Sequence, residues 1–217
     1  DANLDFYGIG PDAGDRDRSI AIEQKGAFAL IEASARVAPS FYIGPAFRYL
    51  DISTSLNLED IDFPDQDIPA PELESRSSAL GVAAEYDTRD SQYGPRRGLY
   101  STAQVFRAAD AFGSDFDYMR AEFTLNGYYP LSDKTAVAAR LSLCGVGDDA
   151  PFYDLCAFGQ NHDLRGYVSG QYRDQAMAAV QMELRQDLPR RFGFVLFVGV
   201  GGVAASLGGI ADQRGLP

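Results

Sequence analysis

Tryptophan is absent from this chain and histidine occurs once, at His162. Trp is common in the aromatic girdles of membrane proteins, so its absence weighs mildly against a membrane barrel, a role that Tyr and Phe are left to fill. A lone His162 has no suitably placed cysteine and no Gly-x-Ser-x-Gly serine to activate, and no phosphate-binding glycine loop joins a strand to a helix. No enzyme is therefore expected, and no cofactor. Two cysteines, Cys144 and Cys156, are too few for a disulfide framework and lack the spacing of a zinc site. Positive charge is short as well: 19 Lys+Arg against 31 Asp+Glu leave a formal charge of -12, which repels a polyphosphate, so nucleic acid is not an expected partner. No run approaches the roughly 18 apolar residues of a spanning helix, and helical periodicity is missing throughout. The acids Glu59, Asp60, Asp62, Asp65, Asp67, Glu72 and Glu74 crowd one stretch without the spacing of a calcium loop. A solvated loop is expected there, and no metal.

What remains is alternation. The chain is 46% hydrophobic and 23% charged, with a mean hydropathy of -0.19. That average suits a soluble protein, and it equally suits a barrel strand, in which lipid-facing apolar residues alternate with lumen-facing polar ones. Between Phe116 and Tyr129, Met119, Ala121, Phe123, Leu125 and Tyr129 share one face, and Arg120, Glu122, Thr124 and Asn126 share the other. The same period places Val137, Ala139, Leu141 and Leu143 opposite Arg140, Ser142 and Cys144, and sets Ala178, Val180, Met182 and Leu184 against Gln181, Glu183, Arg185 and Asp187. Further strands are expected near residues 25–37, 41–57, 78–88, 98–109 and 193–204, about eight in all. Tight turns at 38–40, 130–134 and 189–192 alternate with long polar loops at 58–77 and 147–175. A soluble β-sandwich would show similar alternation; the asymmetry of loop length, the charges along one face and aromatics such as Tyr42, Phe47, Tyr49, Tyr128 and Tyr129 near strand ends favour an antiparallel transmembrane β-barrel.

Three stretches carry a resemblance. Leu164-Arg165-Gly166-Tyr167 lies in the long loop before the strand that holds Glu183. Asp87-Thr88-Arg89-Asp90 is followed by Pro95-Arg96-Arg97-Gly98, residues suited to reversing a chain without offering ladder donors. Gly193 to Val203 forms a glycine-rich late strand. Together they resemble the BamA/TamA family of outer-membrane assembly barrels, also called bacterial surface antigens, in its barrel portion only. The resemblance implies that the loop folds back into the lumen, with Arg165 held by an inward carboxylate on the following strand. Glu183 has the right parity. Many family members carry an aspartate where this chain has Gly199, so either a weaker latch is expected here or Asp187 substitutes as a latch partner. The usual double glycine before the tetrad is changed to Gly159-Gln160. Cys144 at a strand end and Cys156 in the following loop make a bridge feasible in an oxidising compartment, with two unpaired buried thiols as the alternative.

By that resemblance the chain is expected to be an incomplete part of a larger barrel, spanning residues 1–217, that aids insertion or export of proteins at the bacterial outer membrane. A passive plugged pore or structural surface antigen is the alternative. Outer-membrane lipid is the expected partner, with unfolded outer-membrane or exported proteins as clients. A start at Asp1 with no methionine or leader is expected of a chain that is both exported and excerpted from a longer one, and no POTRA domain is expected within it.

Overall fold

The computed structural model describes residues 2–13, 19–56, 74–159, 164–189 and 192–212. Ten strands make one antiparallel sheet. Its order is β1 (Ala2–Phe6), β2 (Ile20–Glu32), β4 (Phe41–Leu56), β5 (Glu74–Asp87), β6 (Gly98–Ala108), β7 (Tyr118–Pro130), β8 (Thr135–Val146), β11 (Ala176–Asp187) and β12 (Gly193–Ala204), with β3 (Ala35–Ala38) also on β4. The two missing numbers, β9 (Cys156–Ala157) and β10 (Arg173–Asp174), form a small hairpin inside the long 147–175 loop. The sheet is not closed: among the described residues, β12 pairs only with β11 and the stretch Lys25–Glu32 of β2 pairs only with β4.

The eight long strands lie near their expected positions, and the differences have local causes. The segment expected as one strand over 25–37 is β2 and β3, which lie on β4 in a single register, Glu32 opposite Ala46 and Ala35 opposite Ile43. The break at Ala33–Ser34 faces Gly44 and Pro45. Ala33 N–H donates to the Pro45 carbonyl at 3.1 Å, but proline has no N–H to return the bond, so a rung is missing there. Strand β5 starts at Glu74, inside the segment expected as loop. Strand β1 and a short helix, α1 (Leu207–Asp212), were not expected; α1 is too brief to show an amphipathic period.

Burial decides between sandwich and barrel. On β7 and β11 the polar side chains are the covered ones: Arg120 and Asn126 are 8% exposed and Gln181 is 5% exposed, whereas Met119 is 51%, Val180 43% and Met182 48% exposed. A sandwich core would reverse these values. The apolar residues form an outer belt, and the polar face is covered from within by the 147–175 loop. Buried apolar residues form three clusters, two of them at that contact. One joins the loop's Cys156, Phe158 and Leu164 to Cys144, Met177, Ala179 and Val203. Another joins Phe152 and Leu155 to Phe6, Ile20 and Ile22. The third holds Phe106 and Tyr118 among Ala46, Ala79 and Ala108 on the sheet itself.

An outer face of this kind is stable only against hydrocarbon. Met182→Arg, at the middle of β11, is expected to cost about 2–4 kcal/mol of folding free energy in lipid vesicles, measured by denaturant titration. A loss under about 1 kcal/mol would place that face away from the bilayer core.

Candidate functional site

The inner wall is built row by row from cross-strand neighbours. Asn126, Arg140 and Gln181 are aligned across β7, β8 and β11. Beside them Glu183 faces Ala138 and Arg185 faces Ala136. These small residues leave room for the long side chains and for the loop that descends onto them.

The tetrad Leu164-Arg165-Gly166-Tyr167 lies against this wall. Arg165 Nη2 is 2.6 Å from Glu183 Oε1, and its backbone N–H donates to Gln181 Oε1 at 3.3 Å. Glu183 also receives Arg185, whose Nε donates to Oε2 at 2.8 Å, and Gln181 Nε2 at 3.3 Å. One buried carboxylate thus bridges two guanidiniums and takes an amide, the charge-assisted pattern that a covered acid requires. Gly166 follows with φ +101°, a backbone conformation that L side chains rarely adopt. Tyr167 closes an aromatic trio, its ring 6.0 Å from Phe158 and 5.7 Å from Tyr172.

Gly199 has a different role from the anchor that the comparison with an aspartate suggested. A Cβ at Gly199 would sit 2.8 Å from Leu164 Cδ2, and one at Gly201 would meet Leu164 Cδ1 at 2.8 Å and Phe158 Cε1 at 2.9 Å. The two glycines form a trough in β12 in which the apolar part of the loop is seated. Asp187 does not replace the missing charge. It lies four residues beyond Glu183, about 13 Å along the strand, and binds Arg96 Nη1 at 2.6 Å instead.

That pairing belongs to the turn motif at the opposite end of the sheet. Arg89 holds Asp87 with two bonds, Nε at 2.9 Å and Nη2 at 2.7 Å, and stacks 3.9 Å over the Tyr100 ring. Asp90 Oδ1 accepts the backbone N–H of Arg96 at 3.0 Å, which holds its carboxyl below the ordinary range. Pro95 accepts Arg185 Nη1 at 3.5 Å, and Gly98 opens β6. Arg96 also reaches the Ser132 and Asp133 carbonyls at 3.2 and 3.0 Å. One guanidinium therefore ties together three turns, those after β5, β7 and β11.

A second loop anchor was not found from sequence. Asp154, in a 3-10 turn at Phe152–Asp154, is 3% exposed. Arg48 of β4 binds both its carboxylate oxygens, with Nη1 to Oδ2 at 2.6 Å. Tyr118 OH donates to Oδ2 at 2.5 Å, while Arg120 reaches both its backbone carbonyl and, at 3.4 Å, Oδ1. Burial by itself would raise this carboxyl's pKa; the Arg48 bond and the charges of Arg120 and Arg48 outweigh it and hold the group below its ordinary value. Nothing in the sequence separates Asp154 from the neighbouring loop acids Asp148 and Asp149. A third anchor is Arg173 in β10, which donates to the Gly170 and Phe152 carbonyls at 3.3 and 3.4 Å and lies 5.3 Å over the Phe6 ring. Burial pushes its pKa down to about 10, so it remains charged at neutral pH.

Cys144 and Cys156 are bridged, with Cα atoms 5.7 Å apart. The bridge ties β8 to β9 within the buried cluster that holds Phe158 and Leu164. His162, Gln160 and the acids from Glu59 to Glu72, which the sequence reading singled out, lie outside the described residues. Among the described residues no group of His, Cys, Asp or Glu could hold a metal ion.

Two outcomes follow for the loop. Asp154→Asn keeps the shape and leaves Arg48 and Arg120 facing a neutral amide; a loss of about 3 kcal/mol is expected in denaturant titration, with faster protease cleavage of the loop. Because the folded pKa is depressed, the wild-type contribution is complete above the unfolded value of about 3.9 and is lost as pH falls below it. Protection should therefore persist at pH 5 and fail only in stronger acid, and the variant should lack that transition. Separately, reduction of the Cys144–Cys156 bridge should add two hydrogens to the mass and lower stability by about 3 kcal/mol, the value for a short closed loop.

Comparison with known proteins adds the following. The family model of the Omp85 superfamily domain matches residues 40–213. A crystal structure of BamA from Haemophilus ducreyi lacking POTRA domains 1-3 superposes with a TM-score of 0.64 at 17% sequence identity, over 93% of this chain and 44% of that one. This chain thus spans under half the length of that structure's chain, and its likeness is one of fold. Comparison with curated proteins finds no match.

Proposed function

The chain belongs to the Omp85 superfamily, and from that membership we propose that it forms part of a barrel in a bacterial outer membrane that assists the insertion or export of other proteins. The single observation that supports this reading most is the loop: a long connection folded back onto the inner wall and held there by Arg165 on Glu183, at 2.6 Å. An apolar outer belt fits lipid as the medium around it. The work would be physical rather than chemical. An incoming strand finds main-chain donors and acceptors at an unpaired sheet edge, and the loop's position governs how far that edge is held in place. Client chains are then unfolded proteins that cross or enter the outer membrane, and no bond is made or broken.

The alternative, a passive plugged barrel or surface antigen, draws on the same loop, since Asp154 with Arg48 and Arg173 with Phe6 fasten it at two further places. The full-length protein in liposomes separates the two readings. Insertion of an unfolded outer-membrane barrel protein should be at least about tenfold faster than into empty liposomes, and Arg165→Ala should remove most of that gain. Equal rates with and without the protein would leave only the passive role.

A further inference from the structure

The Cys144–Cys156 bridge lies beneath the loop whose start it closes. Cys156 has no exposed surface and Cys144 is 4% exposed. Packed with them in one cluster are Phe158 and Leu164 from the loop and Met177, Ala179 and Val203 from β11 and β12. Phe158 and Leu164 are themselves buried, seated so closely that a Cβ at Gly201 would meet them at 2.9 and 2.8 Å. Tyr167 and Tyr172 pack on Phe158, with ring centroids 6.0 and 6.3 Å away. Two backbone bonds fasten this cover, Phe158 N–H to the Tyr172 carbonyl at 3.1 Å and Gly170 N–H to the Phe158 carbonyl at 2.9 Å. Thiol–disulfide exchange requires an attacking thiolate to reach one sulfur and a mixed disulfide to be accommodated there. Beneath a close-packed cover there is room for neither.

We propose that the bridge is made before the loop seats, by exchange with an external disulfide, and that the seated loop then seals it. One cysteine thiolate attacks the oxidant and forms a mixed disulfide, releasing the oxidant's first thiol; the second cysteine displaces the other. Two thiols of this chain thus become one disulfide, and their two electrons and two protons leave with the oxidant as a dithiol. An oxidising compartment supplies reagents of that class. The chain is their substrate only while Cys144 and Cys156 are uncovered, and closure of the loop ends the exchange in both directions. Reduction of the finished bridge therefore proceeds only as far as the loop lifts from the wall. The inference rests on how the loop is seated and not on client handling, so it stands or falls separately from the proposed function.

Reduction kinetics of the full-length protein folded in detergent test it. Dithiothreitol is added, the freed thiols are trapped with a maleimide, and the Cys144 and Cys156 peptides are followed by mass. Reduction at least about hundredfold slower than in the urea-unfolded protein is expected, since it must wait for local opening. Arg165→Ala combined with Asp154→Asn releases the loop at two anchors and should speed reduction at least about tenfold. Should that variant not fold, Leu164→Ala, which thins the cover, carries the same arm. In the converse experiment the protein is folded in its reduced form and offered oxidised glutathione; bridging should be at least about hundredfold slower than in the unfolded reduced chain. Native reduction within about threefold of the unfolded rate overturns the proposal, as does ready bridging of the folded reduced protein. Loop variants that fold and are reduced as slowly as wild type overturn it too, because the cover would then not be the loop.

Discussion

Charge that is covered must be answered by charge, and the geometry of this protein's inner wall is organised by that requirement. Two carboxylates, Glu183 at 8% exposure and Asp154 at 3%, hold four of the arginines that point inward. One carboxylate is on the wall and receives a loop arginine; the other is on the loop and receives wall arginines. The loop is thereby tied in both directions. Losing Asp154 would leave the covered guanidiniums of Arg48 and Arg120 without their shared acid, a larger cost than the net worth of either pair.

Apolar contacts then complete what the ion pairs position. Leu164 and Phe158 occupy a trough that exists because β12 has glycine at 199 and 201, and the Cys144–Cys156 bridge ties the start of the loop to the neighbouring strand. The consequence is an uneven distribution of order. The loop end of the sheet is a packed interior of side chains, while the turn end relies on the reach of Arg96 across three turns.

With β12 unpaired on one side among the described residues, the edge strand is also the strand that carries the trough. The chain belongs to the Omp85 superfamily and shares the fold of a BamA barrel.

The sequence by itself determined the eight long strands, the sign of each face and the inward parity of Arg165's partner, because period-two alternation is local and survives any register. It also marked the tetrad and the turn motif, whose glycine and proline have local backbone reasons. The identity of Asp154 as an anchor, the diversion of Asp187 to Arg96, the trough at Gly199 and Gly201 and the β2–β3 break opposite Pro45 were decided only in three dimensions. Each depends on which residue of a distant strand stands across from it. Register and the descent of a loop are set by the sum of many contacts, and no spacing within one segment records them.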